Sequence, residues 1–300
     1  MDAASHARAI LGILISQCAF AASLQTLYVY GDSISDTGVT YQITNGAWPP
    51  SENDQKYLNG DVWVEYAGRT VGYQLVSSAR GGATTNNSVV QGYVGSSVLQ
   101  WPVFVASDQT EVQMTAFRRE SPPFQPESPD RTGDVHLVCV GSNDIFSKAK
   151  FTWEGMMNPS VDAITNTARY LLDNDNVHDV KVCDMSNMYT VPYAQAQGSL
   201  VVNFLKRIIS YVSEETKNRV RELQLAYPDK SVTFIPFKDT MDSVTQKFKN
   251  QTGSCLDLLQ GADIITQCTD VNDYMWWDTF HPTTLAHERI AEILNSILLG

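Results

Sequence analysis

A three-layer α/β/α sandwich on a five-stranded parallel sheet is the fold this sequence predicts. Three observations carry that prediction. Five short apolar runs rich in β-branched residues recur along the chain, and longer stretches of helical periodicity separate them. The runs are also near-continuously apolar, the pattern of strands buried on both faces. Parallel neighbours need a crossover about as long as a helix, and the spacing between runs supplies one each time. The expected strands are Thr26 to Tyr30, Tyr73 to Ser77, Val135 to Val140, Val180 to Asp184 and Val232 to Pro236. The expected helices are Val62 to Val71, Asp108 to Arg119, Val161 to Asp173, Leu200 to Ala226, Thr240 to Lys249 and Thr284 to Leu298. A Pro-rich stretch, Ser121 to Asp130, reads as a surface loop between a helix and a strand.

Composition bounds the function. The 300 residues are 43% hydrophobic and 18% charged, an ordinary globular balance that excludes disordered, collagenous and coiled-coil chains. A chain of this length buries enough surface to need neither metal nor a disulfide lattice for its core. Asp and Glu total 33 against 21 Lys and Arg, a net charge of −12. That charge argues against a grip on nucleic acid and against docking on anionic membranes.

Residues 1–22 read as a secretory signal peptide: a weakly basic start at His6 and Arg8, an apolar run, and the small-x-small pattern Ala19-Phe20-Ala21. An amphipathic or buried N-terminal helix is the alternative. The run is too short and too interrupted by Ser16 and Gln17 to span a bilayer. The chain is therefore expected to be exported, without a membrane anchor, with residues 23–300 forming a single domain.

Export bears on the cysteines. Cys139 and Cys183 sit inside apolar strand patterns, where a small buried thiol is the default. Cys255 and Cys268 bracket a polar, turn-rich stretch and are expected to form a local disulfide. No His or Cys spacing suggests a metal site, and no cofactor is expected. Asn86 and Asn250 head acceptor triplets for glycosylation.

In an open α/β sheet, chemistry gathers at the carboxyl ends of the strands. After the first strand comes Gly31-Asp32-Ser33-Ile34-Ser35-Asp36. Ser33 there either caps a helix or stands exposed beside backbone N–H groups that could face a developing anion. After the second strand, Gly81-Gly82 makes either an ordinary turn or a place where backbone N–H groups are exposed. The third strand is followed by Gly141-Ser142-Asn143-Asp144, where the Asn143 amide either stops the strand or points into the same crevice. Near the C-terminus, Asp278 and His281 stand three apart in a loop, close enough for a carboxylate to fix an imidazole tautomer. The other histidines are poorer candidates. His6 belongs to the leader, His136 and His178 lie at strand starts, and His287 is on a helix with no acid three residues before it.

These four blocks, in this order, resemble the GDSL or SGNH-type serine hydrolases, and among them the fungal exported acetylesterases of carbohydrate esterase family 16. The resemblance implies a flavodoxin-like sandwich and a carboxylic ester hydrolase working through an acyl-enzyme. It makes Ser33 the nucleophile, His281 the general base and then acid, and Asp278 its orienter. It assigns the oxyanion hole to the Ser33 N–H, the Gly82 N–H and the Asn143 side chain, with Gly81 as the competing glycine. The sequence departs from the pattern at Ile34, where relatives carry Leu, and at Ser77-Ser78 and Arg80 around the second block.

Aromatic residues crowd the same strand ends: Trp48, Tyr57, Trp101, Trp276 and Trp277. Trp101 and Trp277 are the expected substrate contacts, since sugar rings stack on such faces. Packing onto the core is the alternative for the Trp276–Trp277 pair. If Arg80 lines the crevice, it would favour an anionic group such as a uronic acid. The expected substrate is thus a small ester, an acetylated oligosaccharide, acted on by a monomer. A lipase or phospholipase acting on longer acyl esters is the alternative, and a sugar-binding protein with a dead site is a third reading.

Overall fold

A computed structural model describes residues 25–49, 55–86, 90, 92, 133–146, 153–173, 177–258 and 264–299. The leader, the expected helix Asp108 to Arg119, the Pro-rich stretch and Trp101 lie outside the described residues.

The core is a five-stranded, all-parallel sheet in the order β2-β1-β3-β4-β5. Its strands are β1 (Thr26–Gly31), β2 (Gln74–Ser77), β3 (Val135–Cys139), β4 (Asp179–Cys183) and β5 (Ser231–Ile235). Side-chain alternation feeds two apolar cores, one on each face. Leu27, Val29, Val135 and Leu137 face the first, while Tyr28, Tyr30, Val138, Val180 and Val182 face the second. Both sides of every central strand are thus covered, which is why the sequence runs are mostly apolar, with His136 in β3 and Lys181 in β4 as buried exceptions.

The described helices are α1 (Val39–Ile43), α2 (Trp63–Val71), α3 (Ser142–Phe146), α4 (Trp153–Leu172), α5 (Pro192–Ala196), α6 (Ser199–Ala226), α7 (Phe237–Thr245) and α8 (Thr284–Leu298). Helices α2, α7 and α8 cover the first core, and α4 covers the second. In α8, Ala286, Ile290, Leu294 and Leu298 recur every four residues as one buried stripe, and Thr283 caps its start by accepting from the Ala286 N–H. Truncating such a core leucine would cost about 2–5 kcal/mol.

Two helices begin earlier than the sequence suggests. Helix α4 starts at Trp153 and carries Pro159 as its seventh residue, past the first four N–H groups that lack intrahelical partners, so the proline forgoes one bond of the ladder. Helix α7 starts at Phe237, straight after Pro236, which closes β5 and caps the helix. Four short strands escaped the sequence pattern: β6 (Asn250–Ser254), β7 (Leu256–Leu258), β8 (Ile264–Gln267) and β9 (Tyr274–Trp276). They pair as β6 with β9 and β7 with β8, and they carry the chain to the last block.

Cys139 and Cys183 are not separate thiols. They are bonded to each other, with Cα atoms 4.8 Å apart, at the carboxyl ends of adjacent strands. The register explains it: β3 and β4 pair with an offset of 44 residues, from Val135↔Asp179 to Val138↔Val182, and the two cysteines share that separation. Cys255 and Cys268 form a second bond, also with Cα atoms 4.8 Å apart.

The chain runs from β1 outward to the edge strand β2, then returns past β1 to β3 on the other side. That reversal opens a crevice above the carboxyl ends of β1 and β3, the place where such sheets hold ligands.

Candidate active site

Strand β1 ends at Gly31, where no side chain fits: a Cβ would lie 2.8 Å from the Cys139 carbonyl oxygen. Asp32 follows and caps a one-turn 3-10 helix, Ser33 to Ser35, its Oδ1 accepting from the Ile34 N–H at 3.1 Å. Ser33 therefore stands at the first position of a tight turn, just above the sheet.

The loop after β9 brings the last block to the same place. Asp278 Oδ1 accepts from the Phe280 and His281 N–H groups, each at 2.7 Å, so the loop folds around its own carboxylate. The Trp277 N–H donates to the His281 carbonyl at 2.7 Å and closes it. His281 Nδ1 then lies 2.8 Å from Asp278 Oδ2, and Nε2 lies 2.9 Å from Ser33 Oγ. An imidazole held this way, with a carboxylate on one nitrogen and a hydroxyl on the other, is oriented to take the hydroxyl proton.

The second and third blocks complete the crevice. Gly81 cannot aim its N–H at the site, because it donates to Thr40 Oγ1 at 2.7 Å and to Asp36 Oδ2 at 3.2 Å. Gly82, at φ +72°, lines the cavity instead. Asn143 is the second residue of α3, and its Nδ2 donates to the Ala83 carbonyl at 2.9 Å, which pins the amide against the Gly82 loop. Asp144 ties the same loop from below, accepting from the Thr85 N–H at 3.0 Å and from Ser160 Oγ at 2.9 Å.

Burial pushes the carboxyls of Asp36 and Asp144 upward, against the pull of the donors they hold. Asp32, fully buried in the cavity wall, is pushed up to about 6 by desolvation, with His281 opposing the shift. His287 is held down at about 3 by burial, and its Nδ1 accepts from the Trp63 N–H at 3.1 Å. It is a neutral structural histidine. His136 is structural too, stacked on Tyr28 and paired with the Tyr30 hydroxyl at 3.1 Å.

A cavity of about 180 Å³ opens above these groups. Its polar side is Ser33, Gly82, Asn143 and His281, and its apolar side is Ile34, Tyr57, Met188 and Phe280. Trp277 is not part of it. The structure buries Trp277 in the core at 5% exposure, beside a Trp276 whose Nε1 donates to the Gln251 carbonyl. Packing the last loop onto the core consumes both tryptophans. Arg80 is also buried and stays outside the cavity lining, so it offers no seat for a uronic acid. Met188 and Phe280 were missed in the sequence. Phe280 directly precedes His281, and Met188 follows the carboxyl end of β4, the one interior strand given no site residue.

The GDSL-like lipase/acylhydrolase family model matches residues 27–294, and the chain belongs to that family, as a carboxylic ester hydrolase. Curated relatives are distant. A phosphatidylcholine-sterol acyltransferase of Aeromonas hydrophila is 22% identical, over 89% of this chain and 88% of its own. Acetylajmalan esterase 2 of Rauvolfia serpentina is 21% identical, over 90% and 89%. Among solved structures, a catalytic mutant of Axe2, an acetylxylan esterase from Geobacillus stearothermophilus, aligns with TM-score 0.48 and 13% identity, covering 91% of this chain and 94% of that one.

Proposed function

We propose that the protein is an exported esterase that removes short acyl groups, acetyl foremost, from hemicellulose-derived oligosaccharides. One observation carries the chemistry: Asp278, His281 and Ser33 form an unbroken hydrogen-bonded chain that ends in the cavity. Ser33 Oγ attacks the ester carbonyl carbon as its proton passes to His281 Nε2. The carbonyl oxygen becomes an oxyanion facing the Ser33 and Gly82 N–H groups and the Asn143 amide. The C–O bond to the alcohol then breaks, and His281 returns its proton to the departing oxygen. Water attacks the acyl-serine with His281 again as base, and release of the acid restores Ser33.

The cavity's size supports a short acyl group. At about 180 Å³ it falls below the roughly 300–1,000 Å³ of pockets that swallow drug-sized ligands. Two disulfides support export, since such bonds persist in oxidising compartments. No described helix is long and apolar enough to cross a membrane. Asn86 and Asn250 are half-buried, and Asn250 turns its Oδ1 to the Gly253 N–H, which leaves its amide nitrogen as the atom for a glycan.

The test is hydrolysis of 4-nitrophenyl esters from acetate to palmitate. Activity on acetate and butyrate that fades with chain length is expected, whereas a preference for palmitate would replace this reading with a lipase. Asn143 provides a second expectation. Asn143→Asp keeps the shape but loses the donor, and kcat should fall about 100- to 1,000-fold with KM little changed. A loss below tenfold would remove Asn143 from the oxyanion site.

A further inference from the structure

The side of the cavity that must receive the alcohol is built of aromatic rings. His281 Nε2 has to protonate the departing oxygen, which therefore comes within about 3 Å of it, and whatever that oxygen carries rests on the groups packed around the imidazole. Two of those groups are aromatic. The Tyr57 ring lies 4.8 Å from the imidazole, centroid to centroid, and the Phe280 ring 6.5 Å away on its edge. Tyr57 is buried and ends the cavity on its side, while Phe280 is half-exposed and continues outward.

Against Phe280 lies a third ring, Tyr193, at 4.9 Å and tilted by 31°. Tyr193 is 43% exposed, more than Tyr57, Phe280 and Trp277, the other described aromatic residues around the site. Its backbone N–H donates to the Thr279 carbonyl at 3.1 Å, which fastens α5 to the loop that carries His281. Phe280 and Tyr193 thus form one continuous aromatic ledge from the reacting nitrogen to solvent. Such rings are stiff and lose little freedom when something lies on them.

Resting on the hydrolase reading above, we propose that this ledge is the subsite for the alcohol half of the ester. It takes an alcohol whose oxygen is borne on a ring with a flat C–H face, a pyranose of the oligosaccharide, in preference to an open-chain alcohol. Trp277, expected to serve here, is buried in the core, so among the described residues the sugar-facing surface is this Tyr–Phe pair.

The experiment compares wild type, Tyr193→Ala and Tyr193→Phe on three acetates: an acetylated xylo-oligosaccharide, phenyl acetate and ethyl acetate. For the oligosaccharide, Tyr193→Ala should raise KM about five- to tenfold with kcat within twofold, and Tyr193→Phe should restore it. Ethyl acetate, which lays nothing on the ledge, should change less than twofold. An equal loss on ethyl acetate would show that Tyr193 merely props the His281 loop, and would overturn the proposal. So would an unchanged KM for the oligosaccharide, or a response confined to phenyl acetate, which would assign an aryl alcohol instead. Absence of Ser33-dependent turnover on all three esters in the wild type is a different failure, one that removes the hydrolase reading itself.

Discussion

Ser33→Ala is expected to lower ester hydrolysis by at least about 10⁴-fold while the protein stays folded. The substitution deletes one oxygen, and that oxygen's partner in the structure is His281 Nε2 at 2.9 Å. The turn itself survives, because Asp32 caps it from its own side chain and Ser33 contributes to it only through its backbone carbonyl. Net loss of one buried hydrogen bond costs about 0.5–1.5 kcal/mol, so thermal unfolding should move by only a few degrees. Any residual rate would come from the proposed oxyanion donors, the backbone N–H groups of residues 33 and 82 and the Asn143 amide, which the substitution leaves in place. Asp278→Asn makes a sharper comparison. An amide oxygen can still accept from the Phe280 and His281 N–H groups, so the loop keeps its shape. The amide cannot stabilise an imidazolium, however, and kcat should fall by about 10⁴-fold. Activity of Ser33→Ala within tenfold of wild type, measured by burst and steady-state release of 4-nitrophenol, would end the covalent mechanism.

Much of this site was readable because parallel sheets place their chemistry where strands end. Once the five runs were recognised, the residues after the first three strands fell into one crevice, and His281 alone joined a loop position to a nearby acid. The boundaries of α8 were legible for a similar reason: Thr283 is a good cap and the apolar stripe from Ala286 to Leu298 is unbroken. What could not be read depended on distances across the sheet or on competition for burial. The bond between Cys139 and Cys183 needs the register of two strands, and each cysteine alone looks like any small buried residue. Trp277 next to Trp276 gives no sign of which ring faces inward, and the structure takes both for the core. Gly81 and Gly82 are equivalent in sequence. Only the fold shows that Asp36 and Thr40 take the Gly81 N–H, and that the Tyr57 hydroxyl fills the space a Gly81 side chain would need.

The largest expected effect on stability follows from that unread bond. Cross-linking residues 44 apart removes more freedom from the unfolded chain than cross-linking residues 13 apart. In the chain-entropy description, Cys139–Cys183 contributes about 4 kcal/mol and Cys255–Cys268 about 3 kcal/mol. The first figure is a large share of the roughly 5–15 kcal/mol that holds a domain folded. Cys139→Ala with Cys183→Ala should therefore lower the unfolding free energy in urea by about 4 kcal/mol, with a steeper slope because the uncrosslinked denatured chain exposes more surface, and the Cys255/Cys268 pair by less. Position adds a second consequence. Cys139 is two residues before Gly141, where the backbone turns at φ +136° into the helix that carries Asn143, and its carbonyl packs against Gly31, two residues before Ser33. Loosening this junction should lower kcat as well as stability, whereas loss of the Cys255–Cys268 bond should leave kcat at 25 °C nearly unchanged. The reverse order of destabilisation, or equal kcat in both paired variants, would show that the inner bond holds nothing the sheet does not already hold.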